Sequence, residues 1–129
     1  MRHGALIMLT LGAMALAAPT HAEPRGAYVT LVLQAFAAKV ECPGTDVVYQ
    51  DLVQKAQEMQ QPDGTTETVR KAIAYMLTDG KMGERGNDEL MQEIAIAVQS
   101  TDLDQKRLGM PTWCETQKSS LAGFIRSKS

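Results

Sequence analysis

The strongest constraint on the fold is an apolar segment that ends at the first cysteine. Residues 28–42 carry apolar side chains around more than one face of a helix, which predicts a helix buried on several sides. These apolar positions are Val29, Leu31, Val32, Leu33, Ala35, Phe36 and Val40. Because Pro43 disfavours helical geometry at Cys42, the helix should end there. We expect this segment to form the central helix.

The N-terminal segment has the pattern of an export signal. Arg2 and His3 precede an apolar run at residues 5–18, and the small residues Thr20 and Ala22 follow it. The run is too short to span a bilayer comfortably, and the small residues fit a cleavage site. We therefore predict that residues 1–22 are removed as a signal peptide. Residues 23–129 would then form a single helical domain in the bacterial periplasm or outside the cell, with no membrane span.

The two cysteines are predicted to form a disulfide. Cys42 and Cys114 are the only cysteines of the chain. Exported proteins occupy an oxidising compartment, where two thiols are more often paired than free. The bridge would join the end of the first helix to the start of the last.

Apolar residues recur at helical spacing through the rest of the chain, whereas no run alternates with period two. This predicts an all-α fold, a compact bundle of about five helices plus one short helix, with the disulfide joining the first and last helices. The short helix, from Asp102 to about Leu108, would carry the chain back to the far end of the bundle. The other helices are predicted from Thr45 to about Gln60, from Thr65 or Thr66 to about Asp79, from a cap at Asn87 to about Gln99, and from a capping box at Thr112 through Phe124 and Ile125.

The predicted mature chain lacks the residues that most enzyme and metal sites need. Both histidines, His3 and His21, lie in the signal, which excludes histidine bases and histidine-bound zinc or haem. Removal of Arg2 from the 13 basic residues leaves 12 against 15 acidic residues, a net charge of −3. This charge and the lack of a basic stripe argue against nucleic-acid or anionic-membrane partners. We predict no cofactor.

Carboxylates remain the only route to an enzyme. Asp88, Glu89 and Glu93 lie at the start of the fourth predicted helix, with Glu89 and Glu93 on one face. Two carboxylates can hydrolyse a glycosidic bond in the cell wall. The same residues are more simply explained as an acidic, solvated helix N-terminus, which needs no function.

Other metal chemistry is not favoured. The segment from Asp79 fails the spacing of a calcium loop, since Lys81 and Gly83 stand where oxygen donors are needed. The methionines do not cluster as Cu(I) ligands, and Met59, Met76 and Met91 fit inward helix faces.

The overall plan resembles that of small periplasmic helical proteins with one disulfide, which include acid-stress chaperones and immunity proteins against secreted toxins. The resemblance concerns architecture and covers no motif. We expect a non-catalytic protein that binds a periplasmic protein through its surface, as an inhibitor, immunity protein or chaperone. A carrier with a small ligand between its helices is the alternative, followed by the cell-wall hydrolase. The glycine-rich loop 78–89 is our candidate for the contact, through Lys81, Met82, Glu84 and Arg85; the alternative is that it is a plain flexible connection.

Overall fold

A computed structural model describes residues 24–128, which form five helices and two short strands. The elements in chain order are α1 (Arg25–Glu41), β1 (Thr45–Val47), α2 (Tyr49–Glu58), α3 (Thr65–Leu77), α4 (Asp88–Leu108), α5 (Met110–Ser120) and β2 (Ile125–Ser127). The predicted helical bundle is confirmed for these residues, and none of their helices is long and apolar enough to cross a membrane. The predicted signal peptide lies outside the described residues.

Helix α1 is the central element, as its composition predicted. It contacts α3, α4, α5 and both strands. Its fully or nearly buried side chains cover several faces: Tyr28, Val29, Val32, Leu33, Ala35 and Ala38. The prediction that Val40 is buried is wrong, because this side chain lies in the last turn and is 82% exposed.

Helices α1, α3 and α4 run side by side in the same direction. Arg25 at the start of α1 bonds to Glu93 near the start of α4, and Glu41 at the end of α1 bonds to Gln105 in the second half of α4. The starts of α3 and α4 line one cleft together, and the end of α3 lines a groove with the middle of α4. Two parallel helices need a connection that travels back along one of them, and residues 78–87 supply it.

The prediction of a separate short helix as the return connection is wrong. Helix α4 continues without a break from Asp88 to Leu108. Ser100, Thr101 and Asp102 have modest helix propensity, and they favoured a helix end there. Thr101 is buried against the core, so packing stabilises the helix through this point and overrides local propensity. The return falls instead in the loop after α3.

A small antiparallel sheet replaces two predicted helix ends. Strand β1 pairs with β2 in the register Thr45 to Ser127 and Val47 to Ile125. The predictions that Thr45 caps the second helix and that the last helix extends through Ile125 are therefore wrong. Strands of three residues are too short to show a period-two pattern, and each needs a partner that is remote in the sequence. Their pairing is set by the tertiary fold.

Two predictions of helix starts have opposite outcomes. Asn87 caps α4 as predicted, since its side-chain oxygen accepts a hydrogen bond of 2.8 Å from the backbone nitrogen of Leu90. The capping box predicted at Thr112 is wrong, because α5 begins earlier, at Met110. Gly109 has φ +82° and separates α4 from α5, and Pro111 lies in the first turn of α5, where its missing N–H is tolerated.

The predicted disulfide between Cys42 and Cys114 is present, with Cα atoms 5.7 Å apart. It joins the residue after α1 to the first half of α5. The β1–β2 pair begins three residues beyond Cys42, so a covalent bond and backbone pairing both hold this end of α1.

Candidate binding surface

The carboxylates at the start of α4 lie beside a polar cleft of about 510 Å³. This polar cleft is bordered by the first residues of α1, α3 and α4 and by the turn at residues 61–63. Glu89 and Glu93 line it, whereas Asp88 does not. Asp88 instead lies 2.7 Å from the guanidinium of Arg85. The structure thus brings together two of the three predicted carboxylates.

Arg25 lies between these two carboxylates. Its Nε donates a hydrogen bond of 2.8 Å to Glu93, and its Nη2 lies 3.6 Å from Glu89. Both carboxylates are thus already engaged by one cation of the same chain, whereas a glycosidase needs two carboxyl groups free to act on its substrate. The arrangement therefore suits a structural link between α1 and α4 better than acid catalysis.

The loop at residues 78–87 is exposed, and its backbone is anchored to α3. The nitrogen of Glu84 donates to the carbonyl of Lys71 at 3.1 Å, and the nitrogen of Met82 donates to the hydroxyl of Thr78 at 2.9 Å. Gly83 has φ +72°, and a Cβ at this position would overlap the carbonyl oxygen of Lys71. Glycine is required here because the loop lies directly against the helix backbone.

The four side chains predicted to contact a partner are all exposed, but two of them are already engaged. Glu84 pairs with Lys71 at 3.4 Å, and Arg85 pairs with Asp88. Lys81 makes no ion pair within 4 Å to any described residue, and Met82 is 64% exposed. The structure therefore leaves Lys81 and Met82 as the residues of this loop best placed to contact another molecule.

A second surface, the apolar groove, was not indicated by any sequence pattern. It lies where the second half of α1, the end of α3 and the second half of α4 meet, with a volume of about 190 Å³. Its walls are mainly apolar: Leu33, Phe36, Ala37, Val40, Leu77 and Val98. Val40 and Leu77, both placed inward by the helical spacing, are 82% and 59% exposed at this groove.

Polar groups lie along the α4 side of the apolar groove. Glu41 accepts a hydrogen bond from the neutral side-chain amide of Gln105. Asp102 makes no ion pair within 4 Å to any residue between 24 and 128. The hydroxyl of Thr101 is buried and has no hydrogen-bond partner in that part of the chain. The groove therefore combines apolar walls with two acidic side chains that no cation of the described chain neutralises.

Apolar surface continues from this groove across α4. Val98 and Asp102 also border a neighbouring shallow depression, which Met76 and Leu103 line as well. Leu103 is exposed, and Met76 packs partly against the core. The surface on this side of the protein is thus an extended strip.

A hydrogen-bonded network around two tyrosines has a structural role. The buried hydroxyl of Tyr28 donates to the carbonyl of Leu52 at 2.8 Å and lies 2.6 Å from the hydroxyl of Thr66, which joins α1 to α2 and α3. Burial raises the pKa of the Tyr28 hydroxyl above its ordinary value of 10. Glu67 accepts hydrogen bonds from Arg70 and Tyr49, and these lower its pKa to about 2.

The described residues offer no group of three or more His, Cys, Asp or Glu side chains that could hold a metal ion together. Met59 is buried and Met91 packs partly against the core, as their helical spacing predicted.

Comparisons with known proteins were made at three levels. No family model, no curated protein sequence and no solved structure matches this chain.

Proposed function

We propose that this chain is a small exported protein without catalytic activity, which binds a protein partner through the apolar groove. Inhibitors, immunity proteins and chaperones act in this way. Export is supported by the apolar run at residues 5–18 followed by Ala22, and the Cys42–Cys114 disulfide is compatible with an oxidising compartment. The observation that carries the binding role is the exposure of Val40 and Leu77 at the groove.

The two exposed side chains can contribute substantially to association. Fully burying a Val or Leu side chain stabilises by about 1.5–3 kcal/mol, and most of this is still unrealised for Val40 and a large part for Leu77. A partner that covers both would gain about 3 kcal/mol, or roughly 100-fold in affinity. Isolated exposed apolar residues need no explanation, but these two border one concave surface.

The loop of residues 78–87 can extend this contact. It begins directly after Leu77, and the backbone nitrogens of Lys81 and Met82 both bond to Thr78. Lys81 and Met82 therefore stay close to the α3 side of the groove, while Glu84 lies further back along α3 against Lys71. We propose that Lys81 and Met82 form the edge of the contact and that Glu84 and Arg85 contribute less.

The alternatives have weaker support. Pockets for small ligands usually measure about 300–1,000 Å³, and the apolar groove is smaller than this. The polar cleft is large enough, but two of its three carboxylates, Glu89 and Glu93, are already engaged by Arg25. The same ion pairs count against the carboxylate hydrolase. A carrier and an enzyme are therefore less well supported than a surface-binding protein.

Photo-crosslinking tests this proposal. A photoreactive amino acid would replace Val40 in one variant and Ile96 in another, in cells that produce the protein. Ile96 is a matched control, since it is 60% exposed but does not line the groove. We expect a protein crosslinked from position 40 and absent from position 96, which mass spectrometry would identify.

The identified partner would then be measured against purified variants. Val40→Ser with Leu77→Ser should lower its affinity about 100-fold, and Ile96→Ser should change it little. Both variants should stay folded, because exposed substitutions usually change stability by less than about 0.5 kcal/mol. Equal affinity of the groove variant and the wild type would reject the groove as the binding surface.

A further inference from the structure

We infer that the occupant of the apolar groove is a segment of a partner protein that carries one large apolar side chain with a lysine or arginine about one helical turn away. The apolar side chain enters between Val40 and Leu77, and the basic group lies beside Asp102 and Glu41. This inference rests on the proposed binding function and specifies the chemistry of the partner.

The volume of the groove sets the size of the apolar group. An apolar cavity of about 150 Å³ is sufficient to bind benzene in a protein core. The groove, at about 190 Å³, therefore accommodates one side chain of the size of Leu or Phe. A single such anchor in a pocket is a common basis for recognition between proteins.

The negative charge beside the groove determines the second feature of the partner segment, a basic residue. Asp102 is unpaired, and Glu41 bonds only to the neutral amide of Gln105. No described cation lies within 4 Å of either carboxylate: Lys39 lies 3.6 Å from Asp46 and Arg107 lies 3.1 Å from Asp104. Lys81, on the α3 side of the groove, forms no ion pair with either of them. Lys106 is one turn from Asp102 but not within 4 Å of its carboxylate. Two uncompensated carboxylates beside an apolar pocket are complementary to a basic residue next to an apolar one.

The shape of the surface favours a protein segment over a small amine. The groove is open to solvent, and its α4 side continues through Val98 and Asp102 to the depression that Leu103 lines. An amphipathic helix that lies in such a groove places anchors three or four residues apart, so an apolar residue and a basic residue one turn away face the same surface. A small ligand would fill only one end of this strip.

A displayed library of random linear peptides tests the inference on the folded, disulfide-bonded protein. Selection at low ionic strength should enrich peptides with a large apolar residue and a Lys or Arg three or four positions away. Their binding should fall about tenfold with Leu77→Ser on the protein. It should fall about threefold with Asp102→Asn and about tenfold with Asp102→Lys, because an exposed ion pair contributes modestly and charge reversal adds repulsion.

Charge exchange provides the decisive comparison. A selected peptide whose basic residue is replaced by Glu should bind the wild type weakly and regain affinity for Asp102→Lys. Asp63→Lys is the matched control, since Asp63 is an exposed carboxylate that lines the polar cleft and not the groove. This control should leave the affinity of both peptides nearly unchanged.

Three results would overturn the inference. Peptides that need Leu77 but show no preference for a basic residue would reject the charge requirement, while binding through the groove would still stand. If no enriched peptide depends on Leu77 for binding, a linear segment is rejected as the occupant. The crosslinking from position 40 then tests the proposed function separately. Self-association that Leu77→Ser abolishes, seen by sedimentation, would reject a different protein as the occupant. A second copy would then fill the groove, with Leu103 and Lys106 of its α4 as the apolar and basic pair.

Discussion

The contact between α1 and α4 has two ends of opposite character. At the start of both helices, Arg25 of α1 pairs with Glu89 and Glu93 of α4, so two of the three carboxylates that line the polar cleft have a cation of the same chain beside them. At the other end, Val40 and Leu77 remain exposed beside the unpaired carboxylate of Asp102. The polar cleft is the larger of the two concavities, yet more of its carboxylates are paired within the chain. Volume alone therefore does not indicate which surface binds a partner.

The two ends of this contact should therefore contribute to different properties, the polar end to stability and the apolar end to binding. Groups that are paired within the protein stabilise the fold and contribute little to the free energy of binding. Exposed apolar groups and unpaired charged groups can contribute to binding, because a partner can cover or pair them. Changes at the polar end should therefore alter stability, and changes at the apolar end should alter binding.

Loss of the disulfide should give the largest change in stability. Cys42 follows α1 at the apolar end, and the bridge closes a loop with a sequence separation of 72. Chain-entropy arguments assign about 4 kcal/mol to a loop of this length. Cys42→Ser with Cys114→Ser should lower the free energy of unfolding by about this amount in denaturant titrations, while the helical circular dichroism signal is retained.

Hydrogen exchange can locate the effect of the missing bridge. Protection should fall first in residues 40–47 and 113–127, which the disulfide and the β1–β2 pair hold together, and later at the start of α1. Wild-type protein treated with a reductant serves as the control and should behave like the double variant. A uniform loss along α1 would show that the two ends are not independent.

Removal of the Arg25 charge at the polar end should lower the free energy of unfolding by an intermediate amount. Arg25→Gln leaves Glu89 and the half-buried Glu93 without their partner. Hydrogen bonds to charged groups contribute about 1.5–3 kcal/mol when partly buried and less when exposed, so we expect a loss of about 1–2 kcal/mol.

Arg85→Gln is the matched control for this variant. Arg85 also pairs with a carboxylate, but both Arg85 and Asp88 are largely exposed, and exposed pairs contribute little. Thermal unfolding at low and high salt should separate the two variants. Equal melting temperatures would contradict a structural role for Arg25.

Acid should produce the smallest of these effects, at the start of α3. Hydrogen bonds from Arg70 and then Tyr49 lower the pKa of Glu67 to about 2 from an ordinary value of 4.5. A carboxyl group with a lowered pKa stabilises the fold fully above its unfolded value and loses this contribution as the pH falls towards the folded value. The contribution should be present above pH about 4.5 and disappear by pH about 2. It should stay below about 1 kcal/mol, since the side chain is half exposed.

Comparison with Glu67→Gln isolates this carboxylate. The difference in unfolding free energy between the wild type and the variant should be nearly constant above pH about 5 and should shrink as the pH falls towards 2. A difference that does not depend on pH would indicate that the hydrogen bonds contribute through geometry and not through charge.

Much of the core was predictable because helical spacing is a local signal. The inward positions of α2, α3 and α4 follow it closely, with Leu52, Val69, Ile73, Leu90 and Ile94 all buried. The Asn87 cap and the turn at Gly64 depend only on residues a few positions apart, and both are present. The apolar groove could not be predicted, because Val40 and Leu77 follow the same spacing as buried residues. Only the positions of the neighbouring helices decide that they stay exposed.

By itself the sequence determined the helical fold class, most of the inward-facing positions and the pairing of its two cysteines, since these depend on short-range periodicity and on the number of thiols. The tertiary structure decided that α1, α3 and α4 run parallel, that α4 passes through Thr101 without a break, and that residues 45–47 pair with residues 125–127. Each of these features depends on contacts between residues far apart in the chain. The same long-range packing pairs the charges at one end of α1 and leaves an uncovered groove at the other.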